Sequence, residues 1–304
     1  MASVGAVIGT LKALVWTRVA NVKRNVIRNN CLDDYAIICI YLNQKPITNR
    51  DCMQKIYHYT SFETFKKIIE FGTIRLNSLA NVDDAEEGFL LDTTSQAPYT
   101  FASCWTRDAK ESVPLWTMYV DSPFAVRIGV STDILTPKFS NKYFISNQKN
   151  DDVYVFLMHR GGSRGMEFLS DIIYKDKPRL RMLKNFRGIF DADYISSYGL
   201  TKSVHWAFQQ EIRFIVQAVP KSQVVKRRDA LLYTCCQEVM DNDRPTDIQF
   251  IDMEYDFAKM LTAEIMLGPS TLEEDAQELK RFLDEKIPDF TGKVSRSEVF
   301  IRSK

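Results

Sequence analysis

Apolar and polar positions first organise into an element at Ile56-Tyr57-His58-Tyr59-Thr60, a run that reads as a strand. Thr60 and Glu63 follow at capping-box spacing, Phe62, Phe65, Ile68 and Ile69 form a helical stripe, and Gly72 supplies a stop. A second strand is expected from Thr73 to Leu79, then a polar acidic loop from Asn81 to Gly88. Tyr99 to Trp105 and Phe124 to Val130 read as strands enclosing a short helix between Glu111 and Tyr119. From Val204 to Val216, Val204, Trp206, Phe208, Ile212, Phe214 and Val216 alternate with His205, Gln209, Glu211 and Arg213. A strand there buries the first set and presents the second on its opposite face, with Gln210 breaking the pattern. A last helix opens at Ser270 and Glu273 and carries Leu272, Ala276, Leu279, Phe282 and Leu283 inward. Strands and helices without a strict βα repeat predict an α+β class. The expected organisation is a single mixed domain over 51–304 behind a mainly helical, basic extension over 1–50.

Composition supports a folded chain. Of 304 residues 45% are hydrophobic, with 19 Phe and 13 Tyr against only 12 Gly and 10 Pro, which excludes a disordered or collagenous protein. Forty basic and 39 acidic side chains leave +1, so no general attraction to nucleic acid or membrane is built in. The charge is uneven: residues 1–32 hold Lys12, Arg18, Lys23, Arg24 and Arg28 and no acid. That segment reads as a helix packed on its own domain or on a partner, with a presequence or a membrane-surface helix as alternatives. No apolar run reaches spanning length, so no transmembrane segment is expected. Six cysteines without a C-x-x-C pair predict a reducing, cytoplasmic setting. Lys175, Lys177, Arg179, Arg181, Lys184 and Arg187 form a second basic cluster, read as a solvated helix face or as a phosphate-contacting surface.

Common catalytic signatures are absent, and His58, His159 and His205 are too few for a multi-histidine metal centre. The acidic run Asp83, Asp84, Glu86 and Glu87 lacks the spaced ligands of a calcium loop, so no metal is expected. His58, between two tyrosines and just before a helix, is placed to hydrogen-bond a ligand hydroxyl; a plain core or surface histidine is the competing reading. Gln209 and Glu211, two apart in a strand, project side by side and suit stabilisation of developing positive charge beside an oriented second reactant. A same-face surface pair of Glu211 with Arg213 is the bland alternative.

The domain resembles a largely uncharacterised microbial and phage family, the domain of unknown function numbered 2971. The resemblance runs through Tyr57-His58-Tyr59-Thr60, Asp83-Asp84-Ala85-Glu86-Glu87, Ser103-Cys104-Trp105 with Trp116 and Tyr119, Lys202 with Trp206 to Arg213, and Ile265-Met266-Leu267-Gly268-Pro269. It departs where Asp83-Asp84-Ala85 replaces the usual Asn-Asp-Pro and Gln209 replaces the first glutamate of a Glu-x-Glu-x-Arg strand. A looser likeness is to ADP-ribosyltransferases, which open on His-Tyr-Thr and carry a late Gln-x-Glu strand. It implies a central, split, antiparallel-rich sheet flanked by helices, and NAD as substrate. Glu211, His58 and Tyr119 are then catalytic, His58, Tyr59, Thr60 and Trp116 bind the cofactor, with Tyr119 or Trp116 stacked on nicotinamide, and Gln209 and Arg213 orient the acceptor. The implied function is ADP-ribosyl transfer to a protein or nucleic acid, or NAD hydrolysis, in a toxin or anti-phage effector. On this reading Glu211→Gln folds normally and loses turnover. A non-catalytic nucleic-acid- or partner-binding module, and a magnesium nuclease using Asp83, Asp84 and Glu87, remain as alternatives.

Overall fold

The computed structural model describes residues 54–82, 84, 96–157, 167–176, 199–242 and 244–300. The basic extension, most of the acidic loop and the basic cluster beyond Asp176 lie outside the described residues.

Strand β1 (Lys55–Ser61) leads directly into helix α1 (Phe62–Phe71). The cap is Ser61 rather than Thr60, its side chain accepting from the Thr64 N–H at 3.1 Å. Gly72 ends the helix at φ 63°, a left-handed position that glycine takes without steric penalty. Strands β2 (Thr73–Ser78) and β3 (Thr100–Thr106), helix α2 (Val113–Met118) and strand β4 (Ala125–Ser131) lie close to their expected places. Short strands β5 (Val153–Phe156), β6 (Leu169–Asp171), β7 (Ile173–Lys175) and β8 (Thr201–Ser203) precede the long β9 (Glu211–Pro220). Helix α3 (Leu232–Asp241), β10 (Phe250–Glu254), α4 (Phe257–Met260), β11 (Glu264–Leu267), α5 (Glu273–Lys286) and β12 (Lys293–Arg296) complete the described chain.

The result is a mixed α/β structure with one large sheet flanked by a few helices. Its order is β10-β2-β3-β1-β4-β11-β12, with β9 joined to β3 and carrying β5 and β6. Pairing within it is antiparallel except between β11 and β12, and β7 and β8 form a separate parallel pair. Strand β1 pairs β4 along its whole length but meets β3 at a single position, Tyr57 opposite Thr106, so the sheet divides there. One face is covered by α1 and α5, where Phe62 stacks on Phe124 at 4.1 Å and meets the Phe282 ring edge-on. Ile212, Phe214 and Val216 of β9 join that core, whereas Ile215 and Val219 join a second one containing Tyr233 and Cys236 of α3. Burial on both faces is why β9 reads as a near-continuous apolar run after Arg213.

Two further expectations need correction. Val204 to Gln209 is a 3-10 helix, not the first half of a strand, and it leaves Val204 and Phe208 exposed. Gln210 then turns the chain at φ 42°, with its carbonyl accepting from the Arg107 N–H, so the strand begins only at Glu211. Helix α5 begins after Leu272, which is 62% exposed instead of inward, and the Asp275 carboxylate accepts from the Leu272 N–H at 2.7 Å. No helix among the described residues is long and apolar enough to cross a membrane.

Candidate functional site

Strand register sets out the site. Asp252 lies opposite Arg75, Phe250 opposite Asn77, Asn77 opposite Ala102, Cys104 opposite Arg213 and Thr106 opposite Glu211. Because side chains alternate along each strand, these residues share one face across β10, β2, β3 and β9. A cleft of about 610 Å³ runs over that face, also bounded by His58, Tyr119, Lys202 and Gln209.

At its floor sits a buried charge cluster. Glu211 Oε1 accepts from Arg213 Nε at 2.5 Å and Oε2 accepts from Lys202 Nζ at 2.9 Å. The Lys202 ammonium also donates to Gln209 Oε1 at 2.9 Å, and Gln209 Nε2 donates to the Tyr119 hydroxyl. Arg213 is fully buried and spends a second N–H on the Gly199 carbonyl at 2.9 Å. Burial pushes its pKa down to about 9, opposed by the nearby Asp84 charge, so it remains a cation at neutral pH. Burial also works against the Lys202 charge, but the Glu211 carboxylate beside it holds the ammonium pKa above its usual value. The Glu211 N–H donates to the Tyr174 hydroxyl at 2.9 Å, and burial raises that phenol to about 12.

His58 borders the cleft from β1. Its Nδ1 lies 2.9 Å from the Cys104 carbonyl, which can only accept, so the proton is assigned to Nδ1 and Nε2 is left as an acceptor. The ring packs at 5.0 Å on Trp105, and burial lowers its pKa from 6.5 despite the carbonyl bond, which favours the cation. A neutral imidazole is therefore the form present at pH 7. The linkage has a definite sign. Below about pH 6.5 the unfolded chain takes up this proton first, so stability contributed by neutral His58 is complete above that pH and falls towards the lower folded-state pKa. Urea titrations of the wild type and His58→Gln at pH 7.5 and 5.5 are expected to show a smaller acid loss in the variant. An equal loss in both would remove His58 as the source.

The structure thus brings His58, Tyr119, Gln209 and Glu211 together. Tyr59 also borders the cleft but is mostly committed to the core, its hydroxyl accepting from the Ser112 N–H at 3.1 Å. Thr60 is buried without bordering the cleft, and Trp116 packs edge-on against Tyr59 at 4.6 Å while donating to Glu111. Arg213, expected on an exposed face, is enclosed beneath the cleft, with its guanidinium bonded to Glu211 and the Gly199 carbonyl. Gln209 is likewise buried, its amide engaged at both ends by Lys202 and Tyr119. Compared with known protein families, curated proteins and solved structures, the chain matches none. Lys202 and Tyr174 are the members that the residue pattern did not assign a role. Both lie on three-residue strands, too short for an alternation to reveal which way they point.

Proposed function

We infer that the cleft binds NAD and cleaves its nicotinamide–ribose bond, passing ADP-ribose to an acceptor or to water. The observation carrying this reading is the meeting of His58, Tyr119 and Glu211, from β1, the end of α2 and the start of β9, on one cleft. The division of the sheet between β1 and β3 supports the same reading, since an ADP-ribosyltransferase-like fold is built on a split sheet.

The chemistry follows from charge. As the C1′–N bond breaks, its electron pair leaves with nicotinamide and positive charge develops on the ribose. Glu211 is held immobile by its two cations, and each carboxylate oxygen keeps a lone pair for a ribose hydroxyl. His58 Nε2 accepts from a second hydroxyl, and the half-exposed Tyr119 ring provides a face for nicotinamide. A lone pair of the acceptor then closes the new bond at C1′, and the acceptor's proton passes to solvent. NAD consumption of this kind suits a toxin or anti-phage effector.

One observation favours a non-catalytic binding module instead: both Glu211 oxygens already accept from cations, which offsets the field a bare carboxylate exerts. In the nuclease alternative, Asp84 is buried and its charge acts on Arg213. The test is nicotinamide release from NAD in EDTA, with and without lysate or nucleic acid. Wild type is expected to release nicotinamide and His58→Gln to lose about a hundredfold or more, the scale of one lost transition-state contact. Release by neither, from protein shown to be folded, removes the enzyme reading; chelator-sensitive nucleic-acid cleavage replaces it with a nuclease.

A further inference from the structure

At the end of the cleft away from Glu211, β2 and β10 carry a second constellation. Arg75 pairs with Asp252 through Nε at 2.8 Å and Nη2 at 2.9 Å, a two-pronged bond lying in the guanidinium plane. One face of that plane rests on the Phe250 ring, 3.5 Å from its centroid. The Arg75 side chain is nonetheless 48% exposed and borders the cleft, so the guanidinium face away from Phe250 is open to a ligand there. Its position is fixed from below and from the edge, so little side-chain freedom remains to be lost when a flat group stacks on it. Two residues along on the same face, Asn77 is exposed and borders the cleft, and its side-chain amide has no hydrogen-bond partner among the described residues.

We propose that Arg75 and Asn77 form a subsite for an adenine base, stacked on the guanidinium and read along one edge by the Asn77 amide. Arginine planes stack on nucleobases, and an asparagine amide matches the donor–acceptor pair that adenine presents at N6 and N7. The proposal rests on the dinucleotide reading of the cleft for its biological sense, though not for its test. From β2 to β9 is two strand spacings, roughly 10 Å. A dinucleotide can therefore place one base at Arg75 while its other end reaches Glu211.

Calorimetric titration of the full-length protein with AMP separates this subsite from the reaction. AMP is expected to bind the wild type, Arg75→Lys to weaken it about tenfold by losing the plane, and Asn77→Ala to weaken it by a similar factor. The lysine keeps the charge and a partner for Asp252, so both variants should melt with the wild type, and a purely electrostatic site would leave AMP affinity in Arg75→Lys unchanged. No AMP binding, equal affinity in all three proteins, or GMP bound as tightly as AMP overturns the subsite. Nicotinamide release measured in parallel keeps the two ideas apart. AMP binding that depends on Arg75 and Asn77, without release from NAD, supports the subsite and removes the transferase reading. Release that is indifferent to both substitutions does the reverse.

Discussion

Glu211→Gln is expected to lower the stability of this protein severely, not merely to silence it. The substitution keeps the shape of the side chain and removes one charge, leaving Lys202 and Arg213 buried beside a neutral amide. Breaking a buried pair by deleting one partner costs about 3–5 kcal/mol, because the desolvation of the remaining ion is no longer offset. For a structure of this size that corresponds to a melting temperature lower by roughly 6–20 °C. This reverses the outcome that sequence alone suggests, in which the same variant folds normally. Adding Lys202→Met to Glu211→Gln removes one of the two cations that lose the Glu211 carboxylate and should recover part of the loss, giving a coupling of about 0.5–3 kcal/mol. Thermal melts of the two single variants and the double variant measure it. A Glu211→Gln protein that melts within 2 °C of the wild type would show that water or relaxation already solvates the cluster. Loss of turnover in that variant is consequently ambiguous, and His58→Gln is the cleaner probe of chemistry.

What was legible in the chain depended on whether local pattern and tertiary environment agreed. From Ile56 to Leu79 they do: the stripe Phe62, Phe65, Ile68 and Ile69 is the buried face of α1, and Gly72 is its stop. His58 stood out because it lies just before a strong helix start, whereas Glu211 stood out only through its spacing from Gln209 in an expected strand that in fact begins at Glu211 itself. Between Val204 and Gln209 the alternation was misleading. Gln209 is held by Lys202 and Tyr119, and a left-handed turn at Gln210 aims it and Glu211 at one ammonium, which outweighs the β pattern of Val204, Trp206 and Phe208. The Arg75 platform left no mark on the sequence because its two partners, Phe250 and Asp252, lie about 175 residues away on another strand. Pairings of that separation are fixed by sheet order, which no local spacing encodes.

The two aromatic residues of the α2 segment should separate cleanly by experiment. Trp116 and Tyr119 are three apart, and the ADP-ribosyltransferase likeness by itself gives no reason to prefer one as the ring that meets nicotinamide. Burial does: Trp116 is 4% exposed and Tyr119 is 40% exposed. Trp116 fills a small core cluster with Tyr59, Leu115 and Ala125, and the Gly268 backbone approaches so closely that a Cβ there would lie 3.2 Å from the indole. Trp116→Ala is therefore expected to cost about 3–5 kcal/mol through the cavity it leaves. The folded fraction should still bind NAD with unchanged affinity. Tyr119→Ala should shift the balance the other way, costing about 1–3 kcal/mol because the buried Gln209 amide loses its partner, while weakening NAD about tenfold through the lost ring. Denaturant titration and NAD binding on both variants give the four numbers needed. If Trp116→Ala loses NAD affinity while its stability stays intact, the assignment of the two rings is inverted. If Tyr119→Ala changes neither quantity, nicotinamide does not lie at this end of the cleft.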